Sequence, residues 1–207
     1  MDISACATPR SSHTAIAMNV LTVNGSPRKD SVSAALAREF SGALAQRGAQ
    51  VSTVRLADLT YRGCSACMAC KSSYEHCVIN DGLTDVLAAV RSAGVLVLST
   101  PVYFGDVTAQ TKGFIDRMFS VLTPDFHESP VRSRLGTGRT LVFIQTQGQP
   151  DENTFADIFP RYKFFFEWLG YSTCHLVRAC GVEAADDSLP YAAARERAVR
   201  LAAALTL

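Results

Sequence analysis

The chain alternates between short apolar runs and longer stretches in which apolar residues recur every three or four positions. Residues 16–23 form a mostly apolar run that ends in Asn24-Gly25-Ser26-Pro27, as a buried strand entering a turn does. From Ser31 the period changes. Val32, Leu36, Phe40 and Leu44 repeat every four residues and Gly48 follows as a stop, which predicts an amphipathic helix. Residues 50–56 alternate weakly, as an edge strand does, and 83–90 resume helical spacing with Asp81 or Thr84 available as a cap. Residues 95–98 predict a buried strand halted at Ser99-Thr100-Pro101, and 108–119 a helix. Residues 123–138, polar and carrying prolines and glycines, predict a loop. A strand over 140–144, a helix with an aromatic face over 154–169, an alternating edge strand over 171–179 and an alanine-rich helix over 189–205 complete the pattern.

Strands that alternate with helices imply a parallel sheet covered on both faces. Three strongly apolar strands flanked by two alternating ones predict an α/β, doubly wound five-stranded parallel sheet in the flavodoxin-like order 2-1-3-4-5, with a cysteine-rich insertion over 60–80 after strand 2. No repeat or interdomain linker interrupts it, so a single domain is expected over 16–207. Residues 1–15 are small, polar and aperiodic and predict a disordered N-terminal extension; Met18 is an alternative start to Met1. Twenty Lys and Arg against nineteen Asp and Glu leave a net charge of +1, which argues against nucleic-acid and membrane-surface partners. No apolar run reaches the roughly 18–20 residues that span a bilayer, and the first residues hold no apolar signal core. A cytoplasmic, reducing location is therefore expected, where clustered cysteines bind metal or do redox work more often than they form structural disulfides.

In doubly wound sheets ligands bind beyond the carboxyl ends of the strands, where the order reverses. Three loops meet that condition. In the first, residues 24–33, the hydroxyls of Ser26, Ser31 and Ser33 and the free N–H groups of the following helix make an anion site, to which Arg28 and Lys29 add charge. It carries neither a Walker Gly-Lys-Ser/Thr nor a GxGxxG, so a single monophosphate such as that of FMN suits it better than a nucleoside triphosphate or dinucleotide. The second, Thr100-Pro101-Val102-Tyr103-Phe104-Gly105-Asp106, offers a pinned backbone for a flat ring and two aromatic side chains. The third, Thr146-Gln147-Gly148-Gln149-Pro150, offers amide and hydroxyl groups for a ring's polar edge.

Cys64, Cys67, Cys70 and Cys77 place four of the chain's seven cysteines within fourteen residues. Thiolates held this close repel unless a cation lies among them. The candidates are an iron–sulfur cluster, a zinc ion, disulfides, or redox-active thiols without metal. Structural zinc sites join two close pairs across a dozen or more residues, a spacing absent here, whereas three cysteines two apart with a fourth behind resemble cubane binding in bacterial ferredoxins. Cys6, Cys174 and Cys180 stand apart from the cluster. His76 reads as an exposed loop histidine, and His127 with Asp125 and Glu128 as part of a polar loop. Phe164, Phe165, Phe166 and Trp168 read as core or subunit interface.

The combination of Asn-Gly-Ser-Pro-Arg at 24–28, Ser-Val-Ser at 31–33, Cys-Val-Ile-Asn-Asp at 77–81, Thr-Pro-Val-Tyr-Phe-Gly at 100–105 and Lys-Gly-Phe-Ile-Asp-Arg at 112–117 resembles the NADPH-dependent FMN reductase superfamily, and most of all its iron-sulfur flavoproteins. The resemblance covers about residues 18 to 180. It implies that Ser26, Arg28, Ser31 and Ser33, with Lys29 beside them, hold the FMN phosphate. It further implies that Pro101, Val102, Tyr103, Phe104 and Gly105 with Thr146, Gln147 and Gly148 line the flavin ring, and that Cys64, Cys67, Cys70 and Cys77 ligate a [4Fe-4S] cluster. The implied activity is FMN-dependent electron transfer between NAD(P)H or a small organic substrate, the flavin and the cluster. Alternatives are a dedicated dehydrogenase, for example one aromatising a chorismate-derived amino cyclohexadiene, and an electron-transfer flavoprotein that serves a redox partner protein. An acidic substrate would call on Arg117, Arg132 or Arg134. By the same resemblance the chain forms a dimer or tetramer.

Overall fold

The first strand, β1 (Asn19–Asn24), is buried on both faces after its first residue, and it organises the molecule. The structure is a computed structural model that describes residues 18–186 and 188–206. The expected start of this strand at Ile16, and the expected extension over 1–15, lie outside the described residues. Leu21 and Val23 point into one core while Val20 points into the other, as the two-residue period of a strand requires. On the second face Thr22 shares a buried hydroxyl contact of 2.7 Å with Ser41 of α1 (Val32–Gln46).

β1 lies between β2 (Gln50–Arg55) and β3 (Val95–Tyr103), parallel to both; β5 (Thr140–Gln147) and β6 (Thr173–Cys180) continue the parallel sheet beyond β3. The order is β2-β1-β3-β5-β6. β4 (Asp106–Val107) is a two-residue strand that folds back antiparallel on the end of β3. With β4 set aside, the order is 2-1-3-4-5, edges included.

Helix α1 and the C-terminal α6 (Leu189–Ala204) cover one face, with Val32, Leu36, Phe40 and Leu44 meeting Ala194, Ala198 and Ala202 over Val95, Val97, Val142 and Ile144. Alanines on α6 let the two helices approach closely. The other face is covered by α3 (Thr84–Ser92), α4 (Ala109–Arg117) and α5 (Ile158–Trp168), with Leu83, Val90, Phe114, Ile158 and Phe166 over Leu96, Leu98, Leu141 and Phe143. Each such fully buried Leu or Phe contributes about 1.5–3 kcal/mol of transfer free energy.

Three departures from the expected elements have local causes. β3 runs through Pro101 to Tyr103 because residues 102–103 gain a partner in β4, joined by a two-residue turn at Phe104 and Gly105, both at positive φ (48° and 88°). Helix α5 starts at Ile158, not at Thr154, because the Asp151 carboxylate takes the Asn153 N–H (2.9 Å) and the Thr154 hydroxyl (3.2 Å) and holds those residues in a turn. The cysteine insertion contains a one-turn helix, α2 (Ala69–Ser72). Among the described residues no helix is long and apolar enough to cross a membrane.

Candidate functional site

Gly25 ends β1 at a point where three elements touch. Its N–H donates to the Ser99 carbonyl (2.8 Å), and its own carbonyl accepts from the Thr108 hydroxyl (2.6 Å), which caps α4. A Cβ at Gly25 would stand 1.8 Å from the Thr111 hydroxyl oxygen, so this close approach excludes any side chain. From here the chain turns into the N-terminus of α1. Ser31 is the cap, its hydroxyl accepting the Ala34 N–H at 3.2 Å; the Ser26 hydroxyl accepts the Arg28 N–H at 3.2 Å; Ser31 and Ser33 hydroxyls lie 3.4 Å apart. Ser26, Ser31 and Ser33 are all buried.

A cavity of about 380 Å³ opens at this end of the sheet. It is bordered by Ser26, Arg28, Ser31 and Val32 on one side and by Pro101, Val102 and Tyr103 on another. Thr146, Gln147 and Gly148 form a third wall, and Val182 and Glu183 close it. The three loops expected to converge therefore do so. Of the expected residues, Lys29 is exposed and off the cavity wall, Ser33 is buried behind Ser31, and Phe104 and Gly105 form the turn beyond its rim. The Arg28 guanidinium is tied to the Glu183 carbonyl (3.1 Å), a wall that follows β6 and that no local sequence signal announces.

Two side chains are placed differently from their expected use. The Gln147 amide nitrogen lies within 3.3 Å of the Gln149, Asp151 and Thr154 carbonyls, and its oxygen takes the Arg178 guanidinium (2.8 Å). Its side chain holds the following loop, leaving the backbone of 146–148 and the Thr146 side chain for a ligand. Phe104 is fully exposed at positive φ, a conformation costing a non-glycine residue about 1–2 kcal/mol. Asp106 pins its hairpin by accepting the Tyr162 hydroxyl (3.0 Å) and lying 3.4 Å from Arg161. Burial, then the Asp106 charge, pushes the Tyr162 phenol well above its usual range, so it stays a donor to that carboxylate. Phe155, also at positive φ (66°), is fixed through its carbonyl by Gln145 (3.1 Å) and lies against Gly105.

The cavity's chemistry fits FMN. One end offers buried hydroxyls, a helix N-terminus and a guanidinium for a phosphate, and the other offers a pinned backbone and half-exposed Tyr103 for a ring.

Cys64, Cys67, Cys70 and Cys77 all border a second, apolar cavity of about 20 Å³, together with Met68, Val78, Ile79, Arg117 and Phe119. Ala66 and Met68, between the first three cysteines, adopt positive φ (52° and 57°), which curls the backbone around that cavity as anion-binding nests do. The Ala66 N–H lies 3.4 Å from Cys64 Sγ, and the Ala69 N–H is the largest of the influences that hold the Cys67 thiol below its usual pKa. Cations ring the site. Arg117, 1% exposed, donates from Nε to Cys77 Sγ (3.0 Å), from Nη1 to Asp81 Oδ2 (2.8 Å) and the Arg62 carbonyl (3.0 Å), and from Nη2 to the Ile79 carbonyl (2.9 Å). Lys71 donates to the Phe119 (2.6 Å) and Leu122 (2.8 Å) carbonyls, and burial depresses its pKa. Arg134 bonds the Ser120, Leu122 and Cys70 carbonyls. Desolvation alone would raise Asp81, but hydrogen bonds from Arg117, Leu83 and Arg62 outweigh it and hold the carboxyl below its usual range.

Arg117 and Arg134 thus grip the cysteine insertion, and Arg132 lies over Trp168, 5.0 Å from the ring centre; none of the three borders the cavity at the α1 N-terminus. Among the described residues no three His, Cys, Asp or Glu side chains gather around a single metal-ion position. The four thiols border one cavity, an all-sulfur donor set of the kind that holds iron–sulfur clusters. Cys64 and Cys67 are exposed, Cys77 is partly so, and Cys70 is buried. His76 stacks edge-on to Tyr74 outside the cysteine cavity, and His127 stacks on Phe126. Phe166 is buried, while Phe164 and Phe165 are half exposed. Cys174 is pushed up to about 11 by burial, and Cys6 lies outside the described residues.

A family model described as NADPH-dependent FMN reductase matches residues 18–153. An iron-sulfur flavoprotein of Methanocaldococcus jannaschii is 36% identical over 100 residues, 48% of this chain and 51% of that protein. Another, of Methanosarcina thermophila, is 30% identical over 132 residues, 64% of this chain and 67% of that one. The chain thus spans about half to two thirds of the length of these relatives. Among solved structures, an FMN-dependent NADH-azoreductase of Bacillus anthracis in complex with FMN shares the fold at a TM-score of 0.70 and 16% identity, covering 90% of this chain and 98% of that one. An NAD(P)H:quinone oxidoreductase of Methanothermobacter marburgensis does so at 0.68 and 18%, covering 90% and 96%.

Proposed function

The chain belongs to the NADPH-dependent FMN reductase family, in its iron-sulfur flavoprotein branch, and from that premise we propose that it moves electrons between NAD(P)H or a small organic substrate, FMN and a [4Fe-4S] cluster. Ser26, Ser31 and Arg28 hold the FMN phosphate at the α1 N-terminus, with Ser33 orienting Ser31 and Lys29 adding long-range attraction. Pro101, Val102 and Tyr103 with the 146–148 backbone hold the ring, and the turn at Phe104 and Gly105 borders its approach. Cys64, Cys67, Cys70 and Cys77 ligate the cluster. When bound, FMN supplies two-electron hydride acceptance and one-electron transfer, and the cluster one-electron storage.

The observation that carries this reading is α4. Its N-terminal hydroxyls, Thr108 and Thr111, contact Gly25 of the phosphate loop, and its last residue, Arg117, contacts Cys77. One helix therefore braces both sites and separates them by about 13 Å along its axis, at 1.5 Å per residue. The protein's part is to fix both groups, exclude water from the buried hydroxyl cradle and keep four thiolates beside the buried Arg117 and the partly buried Lys71. The dedicated-dehydrogenase reading differs only in the electron donor.

Anaerobic rapid mixing of the FMN-loaded protein with NADPH and with NADH tests the donor. Bleaching of the flavin by either nucleotide is expected. If neither bleaches it while dithionite does, the nicotinamide donor is refuted and an organic substrate or a protein partner takes its place.

A further inference from the structure

We propose that Arg117 is a positioning residue that sets the reduction potential of the cysteine-bound cluster, beyond holding the insertion in place; this rests on reading the four cysteines as cluster ligands. A guanidinium has five N–H donors, and four of Arg117's find partners in residues 62–81. Two carbonyls and the Asp81 carboxylate suffice to clamp the loop. The Nε–H, whose direction is fixed by the side chain, goes instead to a sulfur, Cys77 Sγ, at 3.0 Å. The side chain is 1% exposed, so its charge is poorly screened where it meets that sulfur.

Hydrogen bonds to ligand sulfurs and nearby positive charge are two of the protein's controls on cluster potential, because both favour the more electron-rich, reduced state. Cys77 receives both from one residue. The same residue ends the helix whose other end caps onto Gly25, so the donor's position is fixed by the structure that holds the phosphate loop. Asp81 in turn orients the guanidinium through Nη1 (2.8 Å) without touching sulfur.

The effect on potential separates tuning from clamping. Arg117→Met removes every donor and the charge. Arg117→Gln restores an N–H at the bond position of Nε. Asp81→Asn loosens the clamp but leaves the sulfur contact. In equilibrium redox titrations of the reconstituted holoproteins, followed by the paramagnetic signal of the reduced cluster, Arg117→Met is expected to disfavour reduction about tenfold, which for one electron is about 59 mV. Arg117→Gln should lie between Arg117→Met and wild type, and Asp81→Asn should match wild type or lie higher.

Wild-type protein grown with ¹⁵N-arginine gives a second readout that needs no substitution. An arginine-nitrogen hyperfine coupling is expected on the reduced cluster. A cluster present with no such coupling, or an Arg117→Met potential equal to wild type, overturns the assignment and leaves the proposed function standing. A wild-type protein that binds FMN but no iron overturns both.

Discussion

Gly25→Ala probes the junction between the phosphate loop and α4. The new Cβ would lie 1.8 Å from the Thr111 hydroxyl oxygen, 3.1 Å from Thr111 Cβ and 3.2 Å from the Ser99 carbonyl oxygen. Thr111 cannot simply rotate away, because it is buried and its hydroxyl contacts that of Thr108 at 2.9 Å, the same hydroxyl that donates to the Gly25 carbonyl. Overpacking a tight core costs about 1–3 kcal/mol, and disrupting the buried hydroxyl pair adds about 1 kcal/mol. The sum, about 2–4 kcal/mol, corresponds to a fall of about 4–16 °C in melting temperature for a chain of this size. Because Ser26 follows directly, FMN binding should weaken at least about tenfold, the equivalent of 1.4 kcal/mol. Thermal unfolding of the apoprotein and FMN titration by fluorescence quenching measure both. Adding Thr111→Ala removes the clashing oxygen and should recover part of the loss. A Gly25→Ala protein with unchanged melting temperature and FMN affinity would refute the close approach and, with it, the role of α4 as a brace.

Other outcomes follow from the same geometry. Arg28→Ala should weaken FMN about 10- to 150-fold, the range of one charge-assisted hydrogen bond, without altering iron content in reconstituted protein; unchanged affinity removes Arg28 from the phosphate site. Asp81 has its folded pKa below the ordinary value of 3.8, so its contribution to stability is present above that value and is lost as pH falls through the folded pKa. The melting-temperature gap between wild type and Asp81→Asn should therefore hold at pH 6 and shrink as pH drops below 3.8, and a gap that persists unchanged in acid counts against the Arg117 pairing.

Much of this was legible in the sequence because it depends on periodicity. The short, β-branched run Val95-Leu96-Val97-Leu98, bounded by Gly94 and Pro101, points to a strand buried on both sides, and the four-residue repeat of Val32, Leu36, Phe40 and Leu44 to one face of a helix. Loop convergence at the carboxyl edge then follows from topology, which brings Ser26, Pro101 and Thr146 to one cavity. What periodicity misses is where individual polar side chains are used. Arg117 reads as a cation for an acidic substrate near the flavin, yet it is buried because partners from residues 62–81, more than thirty positions earlier, satisfy it. Gln147 reads as a ligand-facing amide, but three carbonyls of its own loop and Arg178 engage it. The Phe104-Gly105 turn escaped because a phenylalanine at positive φ carries no propensity signal. Val182 and Glu183 join the cavity only through the β5–β6 pairing.

The central claim is that one FMN and one multi-iron cluster share this scaffold. Quantifying FMN, iron and acid-labile sulfide in anaerobically purified protein tests it most directly. About one FMN, four iron and four sulfide per chain are expected, from four cysteine ligands around one cubane. FMN bound without iron or sulfide, or a single zinc in their place, would contradict it.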